Sequence, residues 1–192
     1  MKLDQFENKL ADMIGRPTDL RPFVCEGSPL DCKIFLVGFN PATELANDFW
    51  HFWRPGYGFD KQEWLRSYAA TRSVPKPGKT RRLAISPTRL RIESFVEGAS
   101  PVRILETNIF SADSADMQTL HPSRREIAPF HFLLETIMPE VVVAHGKTAT
   151  AAVEVLKGPW KFVSAGHFSR YETKRSAGKL GREAAAFVQG GG

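Results

Sequence analysis

Apolar residues along the chain gather into four short runs that predict buried strands. The runs occupy residues 33–37, 102–107, 141–144 and 160–165. An apolar run of this length is typical of a strand that is covered on both faces. Stretches with helical spacing of apolar residues separate the runs, so strands and helices alternate. The alternation predicts an α/β fold, a three-layer α/β/α domain around a short, mostly parallel, four-stranded sheet.

Helices are predicted where apolar residues recur at intervals of three and four. The first such stretch runs from Leu3 to Ile14. A later helix opens at Ser86, which is suited to the N-cap, with Pro87 at the first helical position. The remaining helices are expected over 61–70, 122–138, 148–156 and 180–188.

Two segments follow neither period. Residues 43–59 are dense in aromatic side chains, with a turn at Pro55 and Gly56. Most of these rings are expected in the core, while Phe52 lies close enough to a strand end to stack on a planar ligand. Residues 71–82 are rich in proline and basic residues, which predicts a loop suited to phosphate contacts or simply to solvent.

Composition bounds the class of protein. The 192 residues, 42% of them hydrophobic, predict one globular domain over 1–192 with a sizeable core. Lys and Arg number 26 against 21 Asp and Glu, an excess compatible with a nucleic-acid partner. The N-terminus has no apolar signal core and no run is long enough to span a membrane. A cytoplasmic monomer without membrane contact is therefore expected.

The cysteines argue against a metal centre. Cys25 and Cys32 are the two cysteines of the chain, and no cluster of histidines accompanies them. Structural zinc sites and iron–sulfur clusters need more such ligands. No metal and no cofactor are therefore expected, and a disulfide between the two cysteines stays open.

Polar residues stand at the ends of all four predicted strands. Asn40, Asn108, His145 and His167 each come at or just after the last residue of a run. Ligands of open α/β sheets bind in the crevice outside the carboxyl ends of the strands. An asparagine amide both donates and accepts, and a neutral histidine donates to an oxygen that gains negative charge. Local patterning alone favours an ordinary turn at Asn40, and the polar ends of the three later strands tip the balance toward a ligand site.

Three short motifs suggest other chemistry and do not support it. Gly146-Lys-Thr148 follows a strand as a phosphate-binding loop does, but Val141 stands where that loop needs its first glycine. Gly78-Lys-Thr80 fails in the same way, with Ser73 in the glycine place. The sequence therefore argues against a nucleoside triphosphatase. His121-Pro-Ser123 looks like an active-site tripeptide, yet its place at a helix start gives it a capping role.

The order of the motifs resembles a known family. Residues 37–42, Val-Gly-Phe-Asn-Pro-Ala, resemble the first motif of the uracil-DNA glycosylase superfamily, in the form of its mismatch-specific uracil/thymine branch. Phe52 and Pro55 match a following Phe and Pro. Residues 105–110 resemble the second strand, whose Asn reads the uracil edge. Residues 127–153, which include the run over 139–149, are similar to a helix–strand–helix segment of the bacterial single-domain branches. The resemblance covers roughly residues 30–188.

The chain also departs from that pattern. Residues 166–170, Gly-His-Phe-Ser-Arg, fall where the family carries His-Pro-Ser and an intercalation loop, so Phe168 replaces a proline. His145 stands where a leucine is common. The cluster-binding cysteines of the thermophilic branches are missing, and the insertion over 60–100 is longer than in compact members.

The resemblance implies a base-excision repair enzyme that flips uracil or a related deaminated or mismatched base out of DNA and hydrolyses its glycosidic bond. It implies that Asn40 holds the attacking water and that His167 binds the carbonyl oxygen of the leaving base. The implied substrate contacts are Gly38, Phe39, Pro41, Phe52, Asn108 and Ser169. The implied DNA contacts are Arg81, Arg82, Arg170 and Tyr171.

Two other readings stay open. One is a non-catalytic nucleic-acid or nucleobase binder with the same fold, since a phenylalanine at position 168 has the size to reshape the pocket. The other is an unrelated flavodoxin-like enzyme, which would need an anion-binding loop that the sequence does not contain.

Overall fold

Six α-helices and seven short strands form the part of the chain that the structure describes. A computed structural model describes residues 1–75, 77–114, 117–170 and 172–190. The helices are α1 Leu3–Ile14, α2 Lys61–Ser73, α3 Pro87–Ala99, α4 Ala128–Ile137, α5 Lys147–Glu154 and α6 Lys174–Gly190. The strands are β1 Phe23–Val24, β2 Ile34–Gly38, β3 Trp53–Arg54, β4 Gly58–Phe59, β5 Ile104–Asn108, β6 Val141–His145 and β7 Lys161–Ala165.

Five of the strands form the main sheet, in the order β1-β5-β2-β6-β7. Strands β5, β2, β6 and β7 run parallel, and β1 pairs antiparallel with β5 at the edge. The predicted α/β class with a mostly parallel sheet is confirmed. The predicted number of four strands is wrong. The extra strand, β1, is two residues long and directly follows Pro22, so no hydrophobic period reveals it.

The parallel strands are buried because their alternate side chains enter two separate cores. In β2, Phe35 and Val37 belong to a cluster that also holds residues of α1 and α4. Ile34 and Leu36 belong to a second cluster with residues of α3 and α6. The central strand therefore has apolar neighbours on both faces, which explains its unbroken apolar sequence.

Local signals placed several element ends correctly. Ser86 caps α3, since its Oγ accepts a hydrogen bond from Arg89 N at 3.0 Å. Strands β3 and β4 pair across the predicted turn at Pro55 and Gly56. The fourth predicted helix differs, because a 3-10 turn over Pro122–Arg124 precedes α4. No helix among the described residues is long and apolar enough to cross a membrane.

Candidate functional site

A large cleft opens at the carboxyl ends of the parallel strands. Strand β2 has β5 on one side and β6 on the other, so the chain reverses its direction of winding at β2. Such a switch point is where open α/β sheets bind ligands. The cleft measures about 1010 Å³, and the last residues of the four strands, Gly38, Asn108, His145 and Ala165, all line it.

Most of the predicted site residues line this one cleft. They are Gly38, Phe39, Asn40, Pro41, Asn108, His167, Ser169 and Arg170. Residues from three separate parts of the sequence thus face the same space. Arg81 and Arg82 are on the segment between α2 and α3 and do not line the cleft. Tyr171 falls outside the described residues.

Phe52 is the exception among the predicted substrate contacts. Its side chain is 1% exposed and packs in the core, with its ring centroid 5.8 Å from that of Phe59. It borders a separate cavity of about 420 Å³ instead of the cleft. The expectation that Phe52 stacks on a ligand beside Asn40 therefore does not fit. The 3-10 turn Phe49–Phe52 directs the ring into the aromatic core.

Gly38 forms the floor of the cleft between two polar side chains. A Cβ at this position would lie 2.6 Å from Asn108 Oδ1 and 3.1 Å from His145 Nε2. Asn108 pairs with Gly38 in register across β5 and β2, while His145 ends β6 on the other side. The missing side chain thus makes room for both polar groups.

The two asparagines differ in how they are held. The Asn40 amide nitrogen donates to Pro41 O at 3.0 Å and to Ser114 Oγ at 2.8 Å, which fixes the amide. Its Oδ1 accepts no hydrogen bond from a described residue. The side-chain amide of Asn108 makes no hydrogen bond within the described chain. Asn40 is therefore a positioned acceptor, and Asn108 retains both its donor and its acceptor for a ligand.

His167 has a defined tautomer. Its Nδ1 accepts a hydrogen bond from Ser169 N at 3.1 Å and lies 2.6 Å from Ser169 Oγ. Because Nδ1 accepts the backbone N–H, the neutral ring carries its proton on Nε2. Burial, with a further effect of Arg170, lowers the pKa of His167 below its usual value. The ring is therefore a neutral donor at pH 7.

His145 is a second neutral ring in the cleft. Its ring stacks on Phe168 with centroids 4.9 Å apart and meets the His167 ring edge-on at 5.4 Å. Burial, together with the nearby His167, lowers the pKa of His145 to about 3. Phe168 is fully buried and packs on Phe95. Phe168 thus packs against the His145 ring and does not line the cleft.

A buried charge network lies beside Asn108 on the same strand. Glu106 accepts from Lys61 Nζ at 2.8 Å and pairs with Arg89 Nη1 at 2.6 Å. Glu93 pairs with the same two cations. Burial raises the pKa of Glu106, but Arg89 and Lys61 outweigh burial and lower it to about 2. Sequence reasoning missed this network, although a carboxylate inside an apolar run signals buried cationic partners.

Arg21 is another cleft residue that the sequence did not reveal. It lines both the cleft and the smaller cavity. Its guanidinium donates to Thr43 O at 3.0 Å and lies 5.9 Å from the Trp64 ring centroid. Burial lowers the pKa of Arg21 to about 10, so it remains a cation at neutral pH. The cleft therefore has a positive end beyond the asparagine and histidine side chains.

Comparison with known proteins adds no relative. No protein-family model and no curated protein matches the sequence. Within the described ranges no three His, Cys, Asp or Glu side chains form a group that could hold a metal ion. The polar groups of the cleft are therefore the basis for proposing a function.

Proposed function

We propose that this protein is a DNA glycosylase of base excision repair that hydrolyses the N-glycosidic bond of uracil or a related deaminated or mismatched base. The observation that carries the proposal is that Asn40, Asn108 and His167 line one cleft at the sheet's switch point. The proposed fold is a three-layer α/β/α domain. Support for it comes from the two cores, which take alternate residues of β2.

Asn108 would bind the flipped base. Its amide has a donor and an acceptor with no partner among the described residues, and a pyrimidine edge offers the complementary pair. Its neighbour Gly38 has no side chain, which gives the Asn108 amide room at the floor of the cleft. An enzyme that acts on a base must first remove it from the DNA stack, and this pocket would receive it.

His167 would stabilise the leaving base. As the glycosidic bond breaks, the bonding electrons move to the base and negative charge gathers on its carbonyl oxygen. The Nε2–H of a neutral imidazole is a donor for that oxygen, and Ser169 fixes the ring in the required tautomer. One such donor contributes about 3–4 kcal/mol in comparable oxyanion sites.

Asn40 would hold the water that attacks the sugar. Its amide nitrogen is engaged with Pro41 and Ser114, so the amide oxygen is left to accept a hydrogen bond from water. An asparagine takes up no proton and carries no charge. We therefore expect catalysis to depend mainly on the departure of the base and to be slow compared with an enzyme that has a carboxylate base.

Basic side chains around the cleft would hold the DNA backbone. Arg170 is exposed and lines the cleft, next to His167. Arg81 lies on the segment between α2 and α3, which the hydrogen bond from Arg72 Nε to Leu83 O joins to the end of α2. The net charge of +5 favours a polyanion.

Single-turnover excision on labelled duplexes tests the proposal. Duplexes with uracil, hypoxanthine, xanthine or a G·T mismatch are incubated with excess protein, and strand scission after alkali reports base loss. We expect scission with at least one duplex, and we expect Asn40→Ala to lower its rate about a hundredfold. The double variant Arg81→Ala/Arg82→Ala is the matched control, expected to weaken binding and spare the saturated rate. Intact strands with all four duplexes would refute the proposal.

A non-catalytic nucleobase or nucleic-acid binder is the second candidate. The observation that favours it is that Glu106, a carboxylate of the cleft, is already paired with two cations and so is not a general base. Binding of damaged DNA without alkali-sensitive scission would establish this alternative.

A further inference from the structure

His145 is a polar side chain of the cleft to which the proposed mechanism gives no role. It is the last residue of β6, and its ring lies opposite Asn108 across Gly38. Its ring is held in place, stacked on Phe168 and in edge contact with His167. A fixed ring at the floor of a cleft presents its polar atoms in one direction.

The Nε2 atom of His145 and the amide oxygen of Asn108 both lie close to Gly38 at the floor of the cleft. The site of a Cβ on Gly38 would be 2.6 Å from Asn108 Oδ1 and 3.1 Å from His145 Nε2. The two atoms thus flank Gly38, because they come from strands on opposite sides of β2. A ligand that meets one of them also meets the other.

The tautomer of His145 follows from what each nitrogen contacts. Its Nδ1 is buried and has no hydrogen-bond partner among the described residues, whereas Nε2 is not sealed off. A proton on Nδ1 would be a buried donor without an acceptor, which costs free energy. The proton therefore belongs on Nε2, and burial keeps the ring neutral by lowering its pKa.

Together the two side chains present three polar groups in a fixed order. Asn108 offers an amide N–H donor and then an Oδ1 acceptor, and His145 adds an N–H donor next to that oxygen. The complement is a carbonyl, an N–H and a second carbonyl in a row. The imide edges of uracil, thymine and xanthine have this order. Hypoxanthine lacks the second carbonyl, and cytosine has an acceptor where the N–H is required.

We propose that His145 and Asn108 form a receptor for the complete imide edge of a nucleobase, so that the cleft selects uracil and xanthine over hypoxanthine and cytosine. The inference rests on the proposed function for the identity of the site. The carbonyl oxygen that His145 contacts has two lone pairs, so it accepts from the His167 Nε2–H as well. His145 is then a specificity residue and a second donor to the leaving oxygen.

Binding of free bases tests the receptor without any need for catalysis. Uracil is compared by NMR titration with 4(3H)-pyrimidinone, which keeps the N3–H and the carbonyl at position 4 but lacks the carbonyl at position 2 and the hydrogen on N1. We expect the wild-type protein to bind uracil about tenfold more tightly, the effect of one hydrogen bond to a desolvated donor. In His145→Leu the affinity for uracil should fall to that for 4(3H)-pyrimidinone, which itself should not change.

A second variant separates recognition from packing. His145→Gln keeps an N–H donor of similar reach, so it should recover part of the preference for uracil, and it serves in place of His145→Leu if the latter does not fold. Equal binding of the two bases by wild type, no binding of either, or an equal loss of both in His145→Leu would overturn the receptor. Uracil selection without any excision would instead refute the glycosylase proposal and leave the receptor standing. Excision without selection would do the reverse.

Discussion

Two segments of the molecule have the same local structure and opposite surroundings. The His121 turn, residues 121–123, and the His167 turn, residues 167–169, each consist of His, a third residue and Ser. In the His121 turn, Nδ1 lies 2.7 Å from Ser123 Oγ and accepts Ser123 N–H at 3.3 Å. The corresponding distances in the His167 turn are 2.6 and 3.1 Å. The hydrogen bonds alone therefore do not distinguish a capping turn from an active-site turn.

The two turns differ in their place in the fold. The His167 turn follows β7, so its ring lies in the cleft, where a Cβ on Gly146 would come within 2.7 Å of His167 Cδ2. The His121 turn precedes α4, and although both histidines are exposed, the His121 ring has no strand end behind it. Its position lines neither cavity. The sheet edge behind the His167 turn thus supplies what the His121 turn lacks, which is neighbouring polar side chains and space for a ligand.

Substitution of the middle residue of each turn should show the largest difference between the turns, measured as the free energy of unfolding. Phe168 is fully buried between His145 and Phe95, whereas Pro122 is exposed. Phe168→Ala leaves a cavity and should lower the free energy of unfolding by about 3–5 kcal/mol. Pro122→Ala should stay within about 0.5 kcal/mol of wild type. Urea unfolding measures both, and similar losses in the two variants would contradict the contrast.

Substitution of the two histidines should show the next largest difference, measured as the excision rate. His167→Ala removes the donor to the leaving base and should lower the single-turnover excision rate about a hundredfold. His121→Ala removes a ring that contacts neither cavity and should leave that rate at the wild-type value. Alkali-sensitive scission with protein in excess gives both rates. A loss of rate in His121→Ala as large as that in His167→Ala would contradict the assignment of the chemistry to the His167 turn.

Acid should destabilise the protein through His145, whose ring contacts the His167 turn. Burial holds the pKa of His145 at about 3 in the folded protein, against 6.5 in the unfolded chain. As the pH falls, this histidine is therefore protonated first in the unfolded chain. The free energy of unfolding decreases as a result between about pH 6.5 and pH 3. The slope approaches about 1.4 kcal/mol per pH unit.

Unfolding measured between pH 7 and 5 in wild type and in His145→Leu isolates this contribution. We expect the variant to lose most of the slope, with a smaller part remaining from His167, whose pKa is also lowered. Glu106 acts in a lower window, because its folded pKa of about 2 lies below the usual 4.5 and its contribution is lost between those values. An unchanged slope in His145→Leu would contradict the assignment.

Substitution of the two serines should show the smallest difference in excision rate. Ser169→Ala removes the contact between the hydroxyl and His167 Nδ1 but keeps the backbone N–H that sets the tautomer. One hydrogen bond to a positioned group corresponds to about a two- to tenfold lower excision rate. Ser123→Ala should leave the rate unchanged. A hundredfold loss in Ser169→Ala would mean that the hydroxyl, and not the backbone, fixes the ring.

Sequence predicts the elements whose signals are local. The apolar run at 34–37 identifies β2, and Ser86 with Pro87 identifies the start of α3. Strand β1 could not be predicted, because two residues have no period. Its existence depends on pairing with Thr107 and Glu106, more than eighty residues away. The long-range partner therefore defines that element.

The site divides in the same manner. Asn40, Asn108 and His167 were predictable because parallel strands bring their carboxyl ends to one edge. The direction of the Phe52 ring was not, because the aromatic core into which it turns is assembled from several elements. Nor were the partners of Glu106, since Lys61 and Arg89 reach it from two separate helices.

The network around Glu106 has a consequence for how ionic strength acts on the protein. Its cations are almost fully buried, with Lys61 and Arg89 side chains 7% and 6% exposed, and mobile ions screen buried pairs weakly. Arg170 is exposed, so the contacts that we propose it makes to DNA phosphates would weaken steeply as salt is added. Added salt should therefore shorten the residence of the protein on DNA while the electrostatic field inside the cleft stays constant. Residence on DNA and the chemical step would then be governed by different variables.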